Sequence, residues 1–211
     1  MATGKSVFAP LERLRSTLFL TAGTILLGFA ASLFIIGILE AAPQDAFEYR
    51  VFSGAGYGLA FLGLLGLYPE LVKQQPRLSR AAGVFALLGA VMFGLSFVTV
   101  GLPGVAFLFG VAEPFALLNF AGLLFGFLLF GLATLRSDTH PRRLGVLLVL
   151  PSVFVAINFL GGIVTGSNWT FPWLVVALGS GQSLTMLAIG YTLRAEDILT
   201  DRARSPADAT A

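Results

Sequence analysis

Cysteine is absent from the 211 residues, histidine occurs once, and two lysines accompany eleven arginines. The first absence excludes disulfides, thiolate metal sites and a thiol nucleophile. One histidine, His140 beside Pro141 in a polar joint, excludes bis-histidine haem ligation, a histidine metal centre and an intramembrane serine–histidine pair. Neither Lys5 nor Lys73 falls in an apolar run, which removes a retinal Schiff base or a buried catalytic amine. Charge itself is scarce, at 11% of residues against 56% hydrophobic, where soluble domains carry roughly 25% charged. With a mean hydropathy of +0.88, the chain belongs to the integral membrane class. Its net charge of +2 is no nucleic-acid signal, because the cations end apolar segments and form no exposed stripe.

What the chain has is long apolar runs separated by short arginine-bearing joints. A proline with two arginines recurs at Pro10-Leu11-Glu12-Arg13-Leu14-Arg15, Pro76-Arg77-Leu78-Ser79-Arg80 and Pro141-Arg142-Arg143, at near-equal intervals that each hold two apolar segments. The spacing predicts an all-α, polytopic bundle of six transmembrane helices in three helical hairpins. The spans fall at about 17–39, 51–68, 81–100, 114–135, 144–165 and 171–193, each close to bilayer length. Residues 1–16 form a leader, 17–193 the membrane domain and 194–211 a tail, in which one or two helical turns and then disorder are expected. The first run is too long for a signal-peptide core. Span two should end at Tyr68, before Pro69, and Pro151 should kink span five. Around Glu113 two registers are open. Either Pro114 starts span four and leaves Leu102–Ala112 as an apolar loop, or the helix begins near Gly104 and carries Glu113 into the bilayer.

Arginines and lysines set the orientation. The leader, the joints 69–80 and 136–143, and the tail hold all of them except Arg50, so both termini are expected in the cytoplasm of a multi-pass cell-membrane protein. Tyr49, Trp169 and Trp173 would mark the outer interface and Tyr68 and Tyr191 the inner one. The hairpin period reads as internal triplication or as what six equal spans produce unaided; Gly190 breaks the register in the third unit.

Because lipid tails are as apolar as leucine, spans associate through close approach at small residues. Thr24-xxx-Gly28-xxx-Ser32, Ala86-xxx-Ala90-xxx-Gly94, Gly54-xxx-Gly58, Gly122-xxx-Gly126 and Gly179-xxx-Ser183 should therefore turn inward or hold a second copy. Gly179-Ser180-Gly181-Gln182-Ser183 has the look of a nucleophile loop without a base and is read as packing. Asn168-Trp169-Thr170 matches a glycosylation acceptor but abuts the membrane, where a cap is the simpler role.

The polar groups left within the spans are Glu113, Asn119, Asn158, Gln182, Ser32, Ser96 and Tyr57. They should face the bundle interior, either as interhelical hydrogen bonds or as an outward-opening pocket with Glu113 as its titratable group. No catalytic residue, metal site or cofactor is expected, and the chain is not read as an enzyme. The leading expectation is an accessory or scaffold protein acting through lipids or protein partners; the alternative is a small transporter or channel using the pocket around Glu113 and Asn119.

Leu64-Leu65-Gly66-Leu67-Tyr68-Pro69-Glu70, followed by Gln75-Pro76-Arg77-Leu78-Ser79-Arg80-Ala81-Ala82-Gly83, resembles a widespread class of small, uncharacterised prokaryotic membrane proteins. The resemblance covers spans two to five and is compositional, so it implies a six-span fold and transfers no site residues. Mitochondrial carriers are also built of three hairpins, but their Pro-x-Asp/Glu signature and longer units are missing here.

Overall fold

The computed structural model describes residues 8–39, 47–99, 113–165 and 172–208, and nearly all of them are helical. The helices are α1 (Ala9–Leu39), α2 (Phe47–Gln74), α3 (Pro76–Val98), α4 (Glu113–Ala121), α5 (Phe127–Leu135), α6 (Arg142–Thr165) and α7 (Pro172–Asp208). A π-helical turn, Gly122–Gly126, joins α4 to α5 as one rod. Among the described residues there is no strand. Five stretches are long and apolar enough to cross a bilayer: Ala9–Ser32, Val51–Gln74, Pro76–Val98, Leu117–Leu135 and Arg142–Gly161. The chain is a helical membrane protein.

Packing follows chain order. Each helix lies against its neighbours in sequence, and α7 closes the circle on α1. Close approach makes the closure possible. A β-carbon on Gly23 would lie 2.8 Å from the backbone nitrogen of Leu187, and one on Gly190 would lie 2.8 Å from that of Leu20. On the other side of α1, a β-carbon on Gly66 would meet the Leu11 carbonyl oxygen at 2.6 Å. These are backbone obstacles that no side-chain rotation relieves, so glycine is required.

The small-residue stripes are used as expected in part. Gly54, Ala86, Gly122, Gly126, Gly179 and Ser183 are buried, but Thr24 is exposed, and its hydroxyl donates to its own helix at the Leu20 carbonyl. The neighbouring Gly23, about 100° round the helix, gives a closer approach and turns Thr24 away.

Phe61 fills the middle of the circle. Its ring stacks on Phe93 of α3 at 5.8 Å and tilts against Phe127 of α5 at 5.5 Å. Gly89 leaves the space its ring occupies. From there towards the joints the interior is solid: Leu64, Leu67, Leu71, Phe130, Leu144, Met186, Ile189 and Leu193 are wholly buried. The π-turn lies beside this core. Its backbone has left the i→i−4 pattern, and the Leu124 carbonyl accepts both the Phe127 N–H and the Ser152 hydroxyl of α6, the latter at 2.7 Å.

Three boundaries differ from the sequence expectation. Pro69 does not end α2 but stands inside it, because wholly buried Leu67 and Leu71 on either side reward continuing the helix despite the lost donor. The joint 69–80 is consequently almost all helix, with Gln75 as its break and Pro76 in the first turn of α3. The tail is also helical to Asp208, about four turns past Arg194 instead of one or two. Pro151 stands inside α6. Residues 40–46, 100–112 and 166–171, with Asn168-Trp169-Thr170 among them, lie outside the described residues, as do the side chains of Glu113, Tyr49 and Trp173.

Candidate functional site

The buried charges gather at the arginine-bearing end. Arg15 sits two turns into α1, Glu70 follows Pro69 in α2, His140 lies in the joint between α5 and α6, and Glu196 and Asp197 stand on α7. Arg15 Nη1 is 2.8 Å from Glu70 Oε2, and Arg15 Nη2 is 3.3 Å from Asp197 Oδ1. The same Glu70 oxygen is 2.9 Å from His140 Nε2, while His140 Nδ1 is 2.9 Å from Glu196 Oε2. Charges therefore alternate along one chain: Asp197, Arg15, Glu70, His140, Glu196. It begins and ends on adjacent residues of α7 and ties four parts of the fold together.

Local structure holds each member in place. Continuing α2 through Pro69 carries Glu70 to the His140 joint. That joint is fixed by Gln75 Nε2 donating to the Arg136 carbonyl at 3.0 Å and by the Asp138 N–H donating to Gln74 Oε1 at 2.9 Å. Ser137 Oγ closes the end of α5 on the Thr134 carbonyl at 3.0 Å. The His140 side chain is 2% exposed.

A neutral imidazole carries a proton on one nitrogen only, and an ionised carboxylate only accepts. With a carboxylate oxygen at 2.9 Å from each nitrogen, the imidazolium is favoured, its Nδ1 hydrogen-bonded to Glu196 and its Nε2 paired with Glu70 by charge alone. Its pKa reflects this. Burial works against the charged ring, but the hydrogen bonds and charges of Glu196 and Glu70 outweigh burial and raise it to about 8. Both ring nitrogens are committed to carboxylates, so the site holds a proton where a lone His among acids would otherwise offer a ligand to a metal. Among the described residues no cluster has the arrangement of a metal site.

Of the polar set singled out from the sequence, Tyr57 and Gln182 are brought together. Tyr57 donates its hydroxyl to Gln182 Oε1, which links α2 to α7 through the interior. Ser32 Oγ turns back to the Phe29 carbonyl at 2.7 Å. Asn119 is half-buried on α4 with Oδ1 unpartnered, and Ser96 is half-buried on α3. Asn158 is exposed on α6, contrary to the expectation that a neighbouring helix covers it. Phe159 and Leu160 beside it are exposed too, although the Phe159 ring lies 4.4 Å from that of Phe120 on α4. Glu113 opens α4.

Spacing does not reveal the ion chain, because His140 is solitary in the sequence and a topological role already accounts for the cations of the joints. Their acids were the available signal. Glu70, Asp138, Glu196 and Asp197 crowd the same end as the arginines, more than a topology signal requires. No protein family, curated protein or solved structure matches the chain.

Proposed function

We propose that the chain is a six-span protein of the cell membrane, both termini cytoplasmic, that acts without chemistry of its own through lipids and protein partners at its arginine-bearing end. The sixth span is the first part of α7. Its apolar run is diluted by Gln182, Ser183, Thr185 and Thr192, but all four are buried, while Leu174, Leu184 and Tyr191 are exposed towards lipid. Composition alone understates how apolar its outer face is.

One observation carries the functional reading. At this end Glu70 and Glu196 are neutralised inside the fold by Arg15 and His140, whereas Arg77, Arg80, Arg136, Arg142, Arg143 and Arg194 are exposed. The fold withdraws acids and leaves cations at headgroup depth, where each is worth about 1 kcal/mol against an anionic leaflet. Purified protein should gain thermal stability when phosphatidylglycerol replaces phosphatidylcholine, and high salt or Arg142→Gln with Arg143→Gln should remove the gain. Equal stability in the two lipids would overturn this reading.

The transporter reading retains one supporting observation, the buried, unpartnered Asn119 Oδ1. Ligand-induced thermal stabilisation lost in Asn119→Leu and in Glu113→Gln would favour it. Triplication of the hairpins rests on the spacing of Pro10, Pro76 and Pro141; the π-turn and the 37-residue α7 are departures that a repeat origin has to absorb.

A further inference from the structure

Cover ends part-way along α6. Leu144, Leu148, Pro151 and Val155 follow one another at alternating four- and three-residue steps, which share one face of a helix, and all are buried. Asn158 is the next step on that face and is exposed, as are Ile157, Phe159 and Leu160. Four consecutive helical residues go most of the way round the axis, so at this level the bundle opens; the helix has not turned over. α7 still flanks the stretch: a β-carbon on Gly181 would lie 3.0 Å from the Phe154 ring, and one on Gly161 would lie 3.9 Å from Leu174.

A second amide stands at the same level on α4. Phe120 and Phe159 have ring centroids 4.4 Å apart, and each follows an asparagine. On α4, Gly122 lies against Gly89 of α3 and Phe120 against α6, so Asn119 points between those two contacts, where its Oδ1 is buried without a partner. One turn nearer the arginine-bearing end, level with Phe154, Gln182 takes the Tyr57 hydroxyl and closes the space. The described charged side chains all stand at that end. We propose that the opening is a cleft between α4 and α6, facing away from the arginines, that binds a small uncharged polyol through the Asn119 and Asn158 amides. An unpartnered amide oxygen calls for an O–H or N–H donor, Asn158 can both donate and accept, and the Phe159 ring, 44% exposed, offers an apolar edge to the carbon chain. A charged ligand would lose its water and meet no counter-charge among these groups. The cleft deepens the transporter reading by giving it a site, and rests on that reading for passage but not for binding.

With no native cysteine in the chain, single cysteines report on water. Asn158→Cys and Leu160→Cys replace side chains that are both exposed, one on the buried row of α6 and the other on its opposite side. In phosphatidylcholine proteoliposomes a membrane-impermeant methanethiosulfonate should label Asn158→Cys at least about tenfold faster, since each unit by which lipid raises a thiol's pKa costs tenfold in thiolate. Equal rates would overturn the cleft. In saturation-transfer NMR on nanodiscs, glycerol and xylitol should give signals that Asn119→Leu reduces several-fold, while aminopropanediol, the cationic analogue of glycerol, gives none. Silence from both polyols, signals unchanged in Asn119→Leu, or an equal signal from the cation would each overturn the proposal. Polyol binding without osmotic uptake into proteoliposomes would keep the site and end the transporter reading, so the two fail separately.

Discussion

At the arginine-bearing end, five long charged side chains from α1, α2, α7 and the α5–α6 joint meet in one continuous chain. Further into the membrane the polar residues are short, and most of them serve their own helix. Thr134 donates to Phe130, Ser183 to Gly179 and Thr185 to Gly181, each a carbonyl four residues back. Tyr57 with Gln182 is a bridge between helices. The contrast follows from reach and dielectric. Near the headgroups a charge can be solvated before folding and paired after it. In the hydrocarbon an unpaired polar group is costly, and a hydroxyl on its own helix is satisfied before any helix meets another. One end therefore couples elements, while the other mostly keeps each helix self-sufficient.

Substitutions should divide the two regions by size. Arg15→Leu leaves Glu70 with His140 and takes the partner from Asp197, whose side chain is 41% exposed, and is expected to cost about 2–3 kcal/mol, below the figure for a fully buried pair. Unfolding in mixed micelles measures it, and adding Glu70→Leu should recover a large part. A loss no greater than that at Tyr57 would erase the contrast.

The next effect is set by pH. His140 has a folded pKa of about 8, above the ordinary 6.5, so proton binding favours the folded state. Its contribution is complete below about 6.5, declines as pH rises through about 8, and amounts to roughly 2 kcal/mol. Thermal midpoints in zwitterionic lipid should fall across that window in the wild type and stay level in His140→Gln. Smaller still, Tyr57→Phe should cost about 0.6 kcal/mol, the average for an interhelical hydrogen bond in a membrane. Asn158→Leu, on an exposed face, should stay within about 0.5 kcal/mol of the parent. A large loss there would mean that α6 is covered by another chain, which cross-linking through Asn158→Cys would detect.

Much of the helical plan was readable in advance. The apolar runs, the proline in the first turn of α3 and the small-residue stripes on α2, α3, the π-turn and α7 all follow from local rules that act within a few residues. Pro69 misled because its local penalty is real, yet Leu67 and Leu71 on either side are buried by helices distant in sequence. Asn158 misled because an amide is expected to find a partner in the interior, whereas the far end of α6 is left uncovered once the circle has closed.

Sequence alone determined that this chain is helical, apolar over bilayer-length stretches and cationic at the joints, since hydropathy and propensity are properties of consecutive residues. Only the tertiary structure decided that α7 returns to α1, that glycine meets backbone there, and that a solitary histidine lies between two glutamates. Those facts depend on which residues from distant segments come within 3 Å of one another, and ion pairing at that range has no signature in local order along the chain.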